Sequence, residues 1–187
     1  MLKKLVLSLF VAGFAMGVHG QGLVNFNTAT LGPSARVFNS SGILASNQLY
    51  LAQLFAADGA GQAEGSLQAK GTPVNFRGGN FAGYVQTSGT TSQGNPVVAS
   101  VAVTTQSAGQ VTLQMRAWSS SFSSYAAAVA GGGEFGESDL LNFTPGYPPN
   151  TAADLIGLTG FTMVPEPSTV ALAVLGAGSL LFLRRRK

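Results

Sequence analysis

The sequence predicts a mainly β protein, an antiparallel β-sandwich, with an apolar helix at each end of the chain. Charged residues make up only 9 % of the 187 residues, whereas helix surfaces usually carry many Glu, Lys and Arg. Glycine is abundant at 25 residues, and together with Ser, Thr and Asn it divides the chain into short segments separated by turns. The chain has no Cys, so an apolar core rather than disulfides must stabilise the fold.

The N-terminal segment has the three parts of a secretory signal peptide. Two lysines near the start form a positive tip, the run 5–18 is apolar except for one serine, and segment 18–20 ends in a small residue suited to a cleavage site. We expect signal peptidase to remove residues 1–20 before Gln21, with cleavage after Gly17 as the second choice. The alternative is a retained anchor, for which the apolar run is short.

The C-terminal segment begins with Pro165, Glu166 and Pro167, whose two prolines favour an extended approach. An apolar run from Val170 to Leu183 follows. At about 1.5 Å per residue this run would span roughly 21 Å as a helix, less than the ~30 Å hydrocarbon core, so we expect a short transmembrane helix. The chain ends in four cations that favour the cytoplasmic side: Arg184, Arg185, Arg186 and Lys187. A buried core helix, the alternative, does not explain this basic end.

Together these C-terminal features resemble the PEP-CTERM sorting signal over residues 164–187. The resemblance implies that an exosortase, a transpeptidase-like membrane enzyme, recognises Pro165, Glu166 and Pro167 as substrate residues and cuts the chain nearby. It also implies transient anchoring in the inner membrane, followed by release to the outer envelope or the extracellular matrix, often beside exopolysaccharide. We therefore divide the chain into a signal peptide (1–20), an exported domain (21–160) and a sorting signal (161–187).

Within the exported domain, short alternating segments predict strands. The side chains of Val111, Leu113, Met115 and Ala117 share one face by the period of two. Such regular short strands favour an antiparallel sandwich of immunoglobulin or jelly-roll type. The predicted strands are 23–27, 48–55, 81–86, 97–104, 111–118, 140–144 and 160–163.

The connections between these segments are also predicted from composition. The segment 106–109 indicates a hairpin turn between the strands 97–104 and 111–118. A helical turn is expected at 123–130, and a glycine-rich turn at 131–136. The segment 150–154 is interpreted as a short spacer near the membrane.

The exported domain resembles PEP-CTERM proteins of Verrucomicrobia-like bacteria, which implies a β-rich exported domain and no particular activity. The segments that carry this resemblance are 24–27, 50–55, 116–118, 124–125 and 136–138.

Charge and composition exclude several functions. Between Gln21 and Val164 there are four basic and six acidic residues, a net charge of −2, so we expect no nucleic-acid binding. The single histidine, His19, lies in the signal peptide, and the mature domain then lacks both His and Cys. That excludes the common Ser-His-Asp and Cys-His nucleophiles and most zinc sites. We expect no enzymatic activity, no metal and no cofactor.

Two acidic arrangements and one serine could in principle support chemistry that this expectation excludes. Glu134, Glu137 and Asp139 lie beside a glycine-rich turn, where oxygen ligands could hold Ca²⁺, but a solvated turn is the favoured interpretation. A glutamate pair from this cluster could also serve a glycosidase. Ser138 lies in a segment that approaches a nucleophile elbow, yet Leu140 stands where the second glycine is needed.

The remaining candidate is a ligand patch formed by Arg116, Trp118 and Tyr125, with Trp118 stacking on a sugar. On a strand, Trp118 would lie opposite the Met115/Ala117 face, although a tryptophan in a sandwich more often belongs to the core. The leading hypothesis is an exported, non-enzymatic structural or interaction protein. The alternative is a carbohydrate-binding module acting on secreted exopolysaccharide.

Overall fold

The computed structural model describes residues 20–90, 94 and 99–165. The predicted signal peptide, apart from Gly20, lies outside these residues, as do the predicted membrane helix and the basic end. Within the described part of the chain, no helix has the length and apolar character needed to cross a membrane.

The described residues form nine β-strands and one α-helix, joined by turns and short 3-10 helices. The elements are β1 (Gly22–Asn25), β2 (Tyr50–Asp58), β3 (Gln68–Asn75), β4 (Ser100–Thr104), β5 (Val111–Ser119), α1 (Tyr125–Gly131), β6 (Glu134–Glu137), β7 (Leu141–Phe143), β8 (Ala153–Asp154) and β9 (Val164–Pro165).

The strands form two sheets. The smaller sheet has the order β4-β1-β8, with β4 antiparallel and β8 parallel to β1. The larger sheet has the order β3-β2-β5-β6-β9, and β7 pairs with β5 beside β6. Its pairings are all antiparallel. The predicted mainly β fold with antiparallel sheets is therefore confirmed, whereas its immunoglobulin or jelly-roll type stays a prediction.

One apolar core lies between the two sheets. Val24, Val101 and Val103 of the smaller sheet share a buried cluster with the inner face of β2 and β5. The two sheets approach closely at Gly71 of β3, where an added Cβ would lie 3.0 Å from a methyl group of Val101. The inner face of β2 and β5 contributes Ala52, Leu54, Ala56, Val111, Leu113, Met115 and Ala117.

The helix α1 lies on the outer face of the larger sheet. Its start is fixed by Ser124, whose Oγ accepts a hydrogen bond from the backbone N–H of Ala127 at 3.1 Å. Its end is fixed by Gly132 in the left-handed conformation, with φ of +70°. The helix buries Ala128 against Leu51 and Trp118, which gives the outer face a small core of its own.

The structure differs from the predicted hairpin. The predicted strands 97–104 and 111–118 correspond to β4 and β5, but these pair with β1 and β2 respectively and lie in different sheets. The turn 106–109 therefore carries the chain from one sheet to the other. Residue alternation correctly identified the two strands, yet alternation does not specify which strand pairs with which.

Five other segments also differ from the prediction. The segment 81–86 is mainly turn and bridges only Phe76 with Val85, because Gly83 with φ of +85° bends the backbone. The predicted spacer 150–154 ends in β8, which pairs with β1.

The glycine-rich turn 131–136 contains the start of β6, and β3 has no counterpart in the prediction. The segment 160–163 is an irregular approach to β9, with one bridge from Thr162 to Phe38.

Candidate functional site

The outer face of β5 carries the polar side chains that the inner face excludes. Successive residues of a strand point to opposite sides, so Gln114, Arg116 and Trp118 lie opposite Leu113, Met115 and Ala117. Trp118 belongs to the outer cluster with Leu51, as the alternation predicts. The outer face is thus the place where the predicted patch can form.

Arg116 is held by several groups on this face. Its Nε donates to Gln114 Oε1 at 2.8 Å and lies 3.5 Å from Glu137 Oε2. Its Nη2 lies 3.3 Å from Glu64 Oε1. The guanidinium also lies over two rings, 4.5 Å from the centroid of Phe55 and 5.0 Å from that of Tyr125. Only 13 % of the Arg116 side chain is exposed, so these contacts fix its position.

Glu137 connects Arg116 to the helix. It lies on β6 directly opposite Arg116 on β5, and its Oε2 accepts a hydrogen bond from the Tyr125 hydroxyl at 2.9 Å. Burial raises the pKa of Glu137 above its ordinary value, and the Glu64 carboxylate raises it further, while Tyr125 and Arg116 act in the opposite direction. Burial, and then Glu137, also raise the pKa of Tyr125, so Tyr125 remains a hydrogen-bond donor at neutral pH.

Trp118 is fully buried at the edge of this group. Its Nε1 donates to the carbonyl oxygen of Phe122 at 3.0 Å, and its ring meets that of Tyr125 edge to face at 6.3 Å. The structure therefore brings the three predicted patch residues together. The indole exposes no surface, however, so a ligand at this patch would contact Arg116 and Tyr125 rather than Trp118.

The sequence prediction missed Phe55, Glu64 and Gln114 in this group. Gln114 could have been found, because it lies two residues before Arg116 on the same strand face. Phe55 lies opposite Gln114 through the register of β2 and β5, and Glu64 is 52 residues from Arg116 in sequence. Both depend on strand pairing, for which the sequence contains no local signal.

Glu134 and Glu137 of the predicted acidic cluster contact different sets of residues. Glu137 faces Arg116, whereas Glu134 accepts hydrogen bonds from the hydroxyl groups of Tyr50, at 2.7 Å, and Ser40. Within the described ranges, no three or more acidic side chains converge in a way that could hold a metal ion. The geometry thus gives no support to a calcium site at this turn.

The side chain of Ser138 is buried, and its hydroxyl group is hydrogen-bonded to the backbone. It is 3 % exposed, and its Oγ accepts from the Met115 backbone N–H and donates to the Asp139 carbonyl oxygen, both at 3.0 Å. Gln114 Nε2 also donates to the Ser138 carbonyl oxygen at 2.9 Å. The bonds from Met115 and Gln114 join β5 to the segment after β6.

A cleft of about 590 Å³ lies on another part of the surface. Asn47 lies on its wall with φ of +55°, a conformation that asparagine tolerates better than most residues. Among the described residues, the side chains of Asn47 and Gln48 make no hydrogen bond, and none of the lining residues is charged. The lining consists of Asn47, Gln48, Leu49, Asn75, Phe76, Gln86 and Thr90. No local sequence pattern predicts this cleft, because its lining residues come from three separate segments.

The raised pKa of Glu137 predicts a specific pH dependence of stability. Because the folded state favours the protonated carboxyl group, the stability that Glu137 contributes is fully present below its ordinary pKa of 4.5 and is lost as the pH rises through the raised value. Urea unfolding of the wild type and of Glu137→Gln should therefore show the wild type losing stability relative to the variant between pH 4.5 and neutrality.

Glu64→Gln tests whether the Glu64 carboxylate contributes to the raised pKa of Glu137. Removing the neighbouring carboxylate should weaken the pH dependence without reversing its sign. A constant difference between the wild type and Glu137→Gln across this pH range would contradict the assignment.

The sorting tail begins in the larger sheet. Pro165 is the last residue of β9, whereas Glu166, Pro167, the run from Val170 to Leu183 and the basic end from Arg184 to Lys187 lie outside the described residues. The division of the chain at residue 160 stays a prediction. In the structure, residues 161–165 lie against the domain, and Met163 is fully buried in its core.

Comparison with known protein families gives a match that covers the tail. No curated protein and no solved structure is significantly similar to the chain. The match does not bear on a bacterial group, so the likeness to Verrucomicrobia-like proteins rests on the sequence resemblance alone. Residues 164–187 match the PEP-CTERM protein-sorting motif, and this motif indicates sorting for export through an exosortase.

Proposed function

We propose that this chain is an exported, non-enzymatic protein with a structural or interaction role in the cell envelope or extracellular matrix. The observation that carries the proposal is the position of the sorting motif, which matches from residue 164 and directly follows the buried residue Met163. A folded β domain joined to a sorting tail fits a passenger delivered to the cell surface.

The proposed route uses both ends of the chain. Signal peptidase removes residues 1–20, and the run from Val170 to Leu183 holds the protein transiently in the inner membrane. The exosortase then acts near Pro165, Glu166 and Pro167 and releases the domain toward the outer envelope or the medium. The basic end remains on the cytoplasmic side during this step.

The non-enzymatic role is supported by how the ionisable side chains are used. The predicted mature domain, which begins at Gln21, lacks His and Cys. Glu137 contacts Arg116 and Tyr125, and Glu134 contacts Tyr50 and Ser40. Ser138 bonds to two backbone groups. These contacts connect elements of the fold and engage the groups that the glycosidase and nucleophile alternatives would need.

Intact-mass measurement tests the proposed processing. Protein recovered from the envelope and medium of an exosortase-positive strain should lack residues 1–20 and the run from Val170 to the C-terminus. An exosortase-deficient strain should retain the tail. Glu166→Gln should reduce trimming in the positive strain, whereas Asp139→Asn, which neutralises an exposed carboxylate outside β6 and β9, should leave it unchanged. Retention of the tail in both strains would contradict the proposal.

A second candidate function, carbohydrate binding, is favoured by the cleft beside Asn47 and Gln48. Its lining presents amide groups, each of which can donate and accept hydrogen bonds, together with the apolar Leu49 and Phe76. Sugar hydroxyl groups also donate and accept, so an uncharged, amide-lined cleft fits a neutral polysaccharide better than an ionic ligand. On this proposal the cleft, rather than the Arg116 patch, contacts the secreted exopolysaccharide.

Co-sedimentation with purified exopolysaccharide of the producing strain tests this candidate. The combined change Asn47→Ala and Gln48→Ala should weaken binding by about tenfold or more, since each lost hydrogen bond contributes about 1 kcal/mol. The matched control, Gln106→Ala with Gln110→Ala, removes two exposed amides outside the cleft and should bind like the wild type. Equal binding by both variants would exclude the cleft.

A further inference from the structure

The segment before the sorting motif is fastened to the body of the domain. Phe38 donates its backbone N–H to the Phe161 carbonyl oxygen at 2.9 Å, and Met163 donates to the Phe38 carbonyl oxygen at 2.8 Å. The Met163 side chain is fully buried in the main core. The chain is thus anchored up to the residue that precedes the motif.

The first two residues of the motif continue this attachment as strand β9. Val164 lies opposite Phe135, and Pro165 lies opposite Glu134, on the neighbouring strand β6. Gly136 of β6 permits the close approach, because an added Cβ would lie 3.0 Å from Met163 Cα. In the described residues β9 is the last strand of the larger sheet, and an edge position suits Pro165, which has no N–H to donate.

This arrangement places the start of the recognition sequence within the fold. The match to the motif begins at Val164, and in the sequence Glu166 and Pro167 come directly after β9. Extended peptides are commonly recognised by adding a strand to the receptor, which requires their backbone groups to be accessible. One edge of β9 is already occupied by β6.

We propose that the exosortase takes up the motif only after β9 has separated from β6, so that opening of this strand pair limits the rate of trimming. The inference rests on the proposed sorting function and adds a conformational step to it. The opening is local, because β9 is two residues long and Val164 is 52 % exposed. It ends at Met163, whose burial holds the rest of the chain in place.

A reversible cross-link between the two strands tests the proposal. Directly opposed residues of an antiparallel pair have Cα atoms about 4.5–5.5 Å apart, which lies within the range for a disulfide. The chain has no native Cys, so the only intramolecular disulfide that Phe135→Cys with Val164→Cys can form is the intended one. In exosortase-positive cells, the oxidised protein should keep its tail, and a pulse of membrane-permeable reductant should restore trimming.

Two controls separate the effect of linking β9 to β6 from the effect of changing the motif and from that of any disulfide in the domain. Val164→Cys alone changes the motif without a cross-link and should be trimmed. Asn25→Cys with Ser100→Cys joins an opposed pair of β1 and β4, far in the topology from β9, and should also be trimmed. Both controls are measured by intact mass in the same strain as the wild type.

A second variant acts in the opposite direction. A short Gly-Ser spacer inserted between Met163 and Val164 frees the motif from the sheet and should accelerate trimming relative to the wild type. Trimming of the oxidised Phe135/Val164 cross-linked protein at the wild-type rate would overturn the proposal. Failure of the wild type itself to be trimmed would instead count against the sorting function.

Discussion

Both faces of β5 are covered by side chains, and this double burial determines the layout of the described domain. On the inner face, Leu113 and Met115 pack in the core between the sheets. On the outer face, Trp118 packs beneath α1, and Arg116 is enclosed by aromatic and acidic groups. The strand also pairs with β2, β6 and β7. Because both faces of β5 are covered, alternate residues along the strand must suit the apolar core on one side and the mixed aromatic and charged group on the other.

The outer environment combines apolar burial with charge pairing. Arg116 is close to two carboxylates, of which Glu137 is the more buried. Removing the Arg116 charge would leave both carboxylates without their nearby cation. The same group connects α1 through Tyr125 and β6 through Glu137. Since β6 also carries β9, the chain that leads into the sorting motif is attached to the sheet through this strand. The start of the sorting motif therefore lies next to the strand β6 that carries Glu137.

The sequence predicted what depends on local pattern. The alternation in β5 correctly separated Trp118 from Met115, and the tail was identified from contiguous residues that need no tertiary contact. The strand β3 was missed because Lys70, Gly71 and Pro73 weaken its pattern, although an edge strand tolerates them. The strand β6 was missed because Gly136 suggests a turn, whereas the structure requires a small residue there beside Met163. Contacts such as Arg116 with Glu64 depend on the pairing of distant strands, which no local signal specifies.

The free energy of unfolding of three alanine variants tests the double burial of β5 most directly. Leu113→Ala on the inner face and Trp118→Ala on the outer face should each destabilise the domain by about 2–5 kcal/mol, since both side chains are fully buried. Leu140→Ala, where the side chain is 44 % exposed, should change it by no more than ~0.5 kcal/mol. A Trp118→Ala protein as stable as the wild type would contradict the account, because the outer face of β5 would then not be a core.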